Sequence, residues 1–83
     1  MPTIFSVFGL RFSFFSDDHE PVHVHVVKGR GAINESAVFQ IEPEVTLREN
    51  TGLSLTELRL AERLIEENKD LIVRRWKEFF NKE

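Results

Sequence analysis

The hydrophobic period of this chain changes once, from two residues to 3.6, near position 50. No other feature limits the fold as much. Residues 22–28 alternate so that Val24 and Val26 share one side of a strand while His23, His25 and Val27 share the other. After residue 54 the pattern is helical: Leu58, Ala61, Ile65, Ile72, Trp76 and Phe79 stay on one stripe, flanked by Leu64, Leu71 and Phe80. Strands followed by helix predict an α+β fold, a small antiparallel sheet of three to four strands packed on one face by a long or kinked C-terminal helical segment. Its 83 residues suit a single domain over 1–83, with strands within about residues 3–47 and the helical segment over about 55–80. A chain of this size buries only about 60% of the surface it exposes when unfolded. Eight Phe and one Trp offset the small core, and a homo-oligomer covering surplus apolar surface fits the same composition.

Local signals set the expected boundaries. Residues 3–8 and 11–15 are β-rich runs around Gly9-Leu10, which predicts a type II′ hairpin with Val7 opposite Phe12 and Phe5 opposite Phe14. Phe8 then lies beside Arg11 on the second face, and Ile4 beside Phe15. Ser16-Asp17-Asp18-His19-Glu20-Pro21 reads as a polar connection, and Gly29-Arg30-Gly31 as a turn. A fourth strand reaches Ile41, its surest part at residues 37–41, and Glu42-Pro43 ends it. Val45-Thr46-Leu47 is a short edge segment at most, and Asn50-Thr51-Gly52 a loop. Ser54 with Glu57 forms a capping box, Leu53 supplying the staple residue. The helical phase does not slip across residues 66–70, so one helix or two nearly collinear ones with a break at Asn68 are expected.

All three histidines fall in one heptapeptide, His19-Glu20-Pro21-Val22-His23-Val24-His25, directly after Asp17-Asp18. This is the best site candidate, and it admits three readings. His23 and His25 on one side of a strand, with His19 folding back, match a divalent metal site such as zinc, with Asp17 or Asp18 as an outer carboxylate. Without metal, His19, His23, His25 and Asp18 are the candidate acid–base residues of a hydrolase or nuclease, and Arg11, Ser13 and the Lys28–Arg30 turn would supply phosphate-binding groups. The commoner role of such histidines is structural: bonds to local backbone, or pairing across to Asn34, Glu35 or Ser36. In each case the face bearing Arg11, His19, His23 and His25 is the expected binding surface, turned outward unless a second subunit covers it.

Composition removes other classes. Without cysteine there is no disulfide and no thiolate zinc site. A net charge of −3 opposes broad capture of nucleic acid, although Lys69, Arg74, Arg75, Lys77 and Lys82 gather near the end of the chain. That cluster suits the negative end of a helix dipole. No run approaches the length of a membrane span and no leader-like N-terminus is present, so a cytoplasmic protein is expected.

Met1-Pro2-Thr3-Ile4, the Arg11-Phe12 strand, the block from Ser16 to Val26, the Glu57-Leu58-Arg59 helix start and the closing Trp76 helix occur in one order. Together they resemble the bacterial domain-of-unknown-function family 4160 over essentially the whole chain. Where that family usually has two prolines before the second histidine, Pro21-Val22 stands here. The resemblance implies a small bacterial protein encoded beside another small protein, of domain-of-unknown-function family 2442. That arrangement suggests a toxin–antitoxin pair and hence a protein partner from a neighbouring gene. It assigns no catalytic residue.

Overall fold

Phe8 and Gly9 both lie at positive φ, 54° and 77°, and there the chain makes its first reversal in the computed structural model, which describes residues 3–14, 21–29 and 35–80. Left-handed geometry at both central positions is the type I′ turn, whose twist matches paired strands. It joins β1 (Thr3–Val7) to β2 (Leu10–Ser13), with Val7 opposite Leu10 and Phe5 opposite Phe12. The expected register, Val7 against Phe12, is therefore two residues off. Parity is unchanged by such a shift, so Phe5, Val7 and Phe12 still share the core face. Phe8 sits in the turn, 73% exposed, instead of beside Arg11. The ladder is irregular between Thr3 and Phe5, and Ile4 packs on the core instead of the second face; Phe15, its expected neighbour, lies outside the described residues.

Three further strands follow: β3 (His23–Lys28), β4 (Ser36–Gln40) and β5 (Thr46–Thr51). All neighbours are antiparallel and the spatial order is the chain order, β1-β2-β3-β4-β5. The sheet thus has five strands where three to four were expected. The addition is β5, whose Asn50-Thr51 was read as loop. These residues pair with Ala37 and Ser36, and Gly52 at φ 94° ends the strand. Asn50 then closes a ring with Leu53, Nδ2 donating to the Leu53 carbonyl at 3.0 Å and Oδ1 accepting from its N–H at 3.1 Å.

The helix begins where its capping box places it. Ser54 Oγ accepts from the Glu57 N–H at 3.1 Å, and Glu57 Oε1 accepts from the Ser54 N–H at 2.9 Å. α1 (Leu55–Glu67) and α2 (Lys69–Phe80) meet at Asn68, the expected break. Asn68 Nδ2 donates to the Leu64 carbonyl at 2.8 Å, while the Ile72 N–H reaches the Asn68 carbonyl at 2.9 Å and carries the helical bonding on. Ala61, Ile65, Ile72 and Trp76 are buried on one stripe across the junction. They cover the sheet face built by Leu10, Phe12, Val24, Val26, Ala37 and Phe39, all buried. Each of these sheet side chains except Ala37 contributes about 1.5–3 kcal/mol relative to exposure. Lys28 shares the parity of Val24 and Val26, and its Nζ meets Glu57 Oε2 at 2.8 Å, tying the helix start to the end of β3. No helix among the described residues is long and apolar enough to cross a membrane.

Candidate functional site

The second sheet face is built by the alternate residues. Arg11 and Ser13 of β2 stand opposite Val27 and His25 of β3. His23, His25 and Val27 stand in turn opposite Gln40, Val38 and Ser36 of β4. Ser36 thus enters the ladder opposite Val27, a diagonal neighbour of His25 on the same face. Asn34 lies outside the described residues, as do Asp17, Asp18, His19 and Arg30.

Alternation places His23 and His25 on one face, but it does not turn both outward. His23 is only 7% exposed, and Val27 is buried as well. His23 opens β3 at the sheet end where the aromatic residues of α2 gather: Phe79 and Phe80 approach Phe14, and the Trp76 ring lies 5.2 Å from Phe14, 84° from its plane. The same indole lies 5.3 Å from the His23 imidazole. His23 Nδ1 is 2.8 Å from the Pro21 carbonyl. A carbonyl only accepts, so Nδ1 carries a proton, and in the neutral ring Nε2 is the acceptor nitrogen. The His25 ring, half-buried, lies 5.4 Å from His23 at 63°.

Such a pair has three chemical capacities. A neutral imidazole oriented through its Nδ1–H is the form that ligates a metal, and it is also the form that accepts a proton at Nε2. Buried against an indole, it is equally a rigid wall. Among the described residues no group of three or more His, Asp or Glu is placed to hold a metal ion. Lys28, expected among the phosphate-binding groups, is instead on the helix-covered face. There its hydrogen bond and charge pairing with Glu57 raise its pKa, and the same hydrogen bond, helped by that from the Ser54 N–H, lowers that of Glu57.

Arg11 and Ser13, both expected among the phosphate-binding groups, stand on this face. Ser13 Oγ and Arg11 Nε are buried and have no hydrogen-bond partner among the described residues. Trp76 was assigned to the core, which is right, yet its contact with His23 joins positions far apart in sequence that no local pattern connects.

The comparisons with known proteins agree with the family suggested by the motifs. The model of a family described as a domain of unknown function, DUF4160, matches residues 9–77. No curated protein and no solved structure matches the chain.

Proposed function

Since the chain belongs to DUF4160, a family whose description carries no activity, we propose from the site itself that the protein is the interaction component of a two-protein module. The observation supporting this is the bracing of His23 by the Pro21 carbonyl and the Trp76 ring. A preorganised surface loses little freedom on association, which favours binding. His25, Val38 and Gln40 beside His23, and Arg11 further along the same face, all half-buried, give that surface the mixed polar and apolar character of a protein interface. Its partner is a small protein encoded by a neighbouring gene, and a toxin–antitoxin pair is the arrangement that fits two such small chains. Capture of the neighbouring gene product by the purified protein tests this. A complex at micromolar concentration, weakened at least tenfold by His25→Ala, is the expected result. Failure to form any complex at that concentration refutes it. Growth arrest on expressing either chain alone assigns the toxin.

The fixed tautomer of His23 supports a second reading, a metal- or histidine-dependent hydrolase or nuclease acting through His23 and His25 with His19. Metal analysis of chelator-free protein separates the two. Stoichiometric zinc lost in both His23→Ala and His25→Ala favours the enzyme, and a metal-free, unchanged fold favours the binding module.

A further inference from the structure

The hydrogen bonding of β2 is unfinished on the histidine face, at two side chains only two residues apart. Arg11 makes no ion pair with any described residue, and its buried Nε has no acceptor. Ser13, 0% exposed, has an Oγ equally without a partner. Arg11 is half-buried, and a guanidinium N–H withdrawn from water without an acceptor is costly, since unlike lysine or histidine the group cannot escape by losing its proton. Among the described residues no other Lys or Arg has a buried nitrogen without a partner, and Lys28, Arg63 and Arg75 each meet a carboxylate.

Arg11 also lines a cavity of about 300 Å³ with Ser6, Gly9, Leu10 and Gly29. Ser6 is the cross-strand neighbour of Arg11, so its hydroxyl belongs to the same face. A Cβ built on Gly9 or on Gly29 would meet nothing within 4 Å, so the rim beside Arg11 is backbone facing open space. None of the described residues lining this cavity is a carboxylate. We infer that Arg11, with the Ser6 hydroxyl, holds an oxyanion of the phosphate class in this cavity. A planar carboxylate is satisfied by the guanidinium fork alone, whereas a tetrahedral anion also uses a hydroxyl donor outside the plane of that fork. The site needs neither histidine and does not rest on the partner reading.

Inorganic phosphate is the probe, titrated into the isotope-labelled protein at an ionic strength held constant with chloride. Saturable shifts at the amides of Ser6, Gly9, Arg11 and Gly29 are expected, with affinity reduced at least tenfold by Arg11→Gln. Arg11→Lys keeps the charge and loses the fork, and should bind severalfold more weakly than the native chain. Should Arg11→Gln fail to fold by circular dichroism, Arg11→Lys decides: native affinity in that variant overturns the site. Absence of saturation, shifts unchanged in a folded Arg11→Gln, or equal affinity for acetate also overturns it. A nucleoside 5′-monophosphate binding tenfold more tightly than inorganic phosphate assigns the site to a phosphate ester, and equal binding assigns it to the free anion.

Discussion

Phe8 is the residue whose replacement should stabilise this protein. At φ 54° it occupies the left-handed region, where a side chain other than Gly, Asn or Asp costs roughly 1–2 kcal/mol. Its ring repays little of this, because it is 73% exposed. The buried quarter contributes about 0.4–0.8 kcal/mol on the scale of a fully buried aromatic side chain. Phe8→Asn forfeits that contact but installs Asn-Gly, the favoured type I′ pair, for a net gain of ~0.5 kcal/mol. In a domain of this size such a gain raises Tm by about 2–4 °C. Phe8→Ala is the control: it keeps the strained backbone, loses the contact, and should lower stability by ~0.5 kcal/mol. Thermal melts of the three proteins under one buffer decide the matter. If both variants fall by similar amounts, the ring contact outweighs the backbone and the account of the turn is wrong.

His23→Ala should shift the emission of Trp76, the sole tryptophan, to longer wavelength as water reaches the indole, whereas His25→Ala should leave it in place; fluorescence spectra of the folded variants check this. Ser54→Ala removes the N-cap acceptor and should cost about 1 kcal/mol by urea denaturation. The Lys28–Glu57 pair makes stability depend on pH at both ends. The folded pKa of Glu57 is below its ordinary value, so its contribution is present above the unfolded pKa and is lost as pH falls through the folded one. The folded pKa of Lys28 is raised, so its contribution is full below the unfolded pKa and is lost as pH rises through the folded one. Both slopes should flatten in Lys28→Met, and a pH series of melts in which that variant keeps the native slopes would contradict the pairing.

How much of this was legible in the sequence depended on whether the signal was local. The capping box at Ser54, the break at Asn68 and the stripe through Ile65 and Trp76 follow from neighbours within a helical turn or two, and they are where the residues placed them. β5 was not legible, because every one of its residues is exposed and burial imposes no alternation on an edge strand. The hairpin shift has a similar cause. Gly9 can occupy either central position of a two-residue loop, and placing it second requires Phe8 in a region that sequence statistics disfavour. For the site, alternation gave the shared face of His23 and His25. It could not give the burial of His23, which depends on an indole brought in from α2. The orphaned atoms of Arg11 and Ser13 are likewise properties of packing, with no counterpart in residue type.

Strand order that repeats chain order has a consequence for biosynthesis. Each hairpin can close as soon as its second strand leaves the ribosome, since no pairing waits for a distant segment. The oily side of the sheet is different: its cover follows all five strands, and Trp76 reaches Phe14 and His23 only after α2 has been made. The nascent protein therefore carries an uncovered sheet until α1 and α2 emerge behind it. In that interval it is most open to chaperones and to premature association.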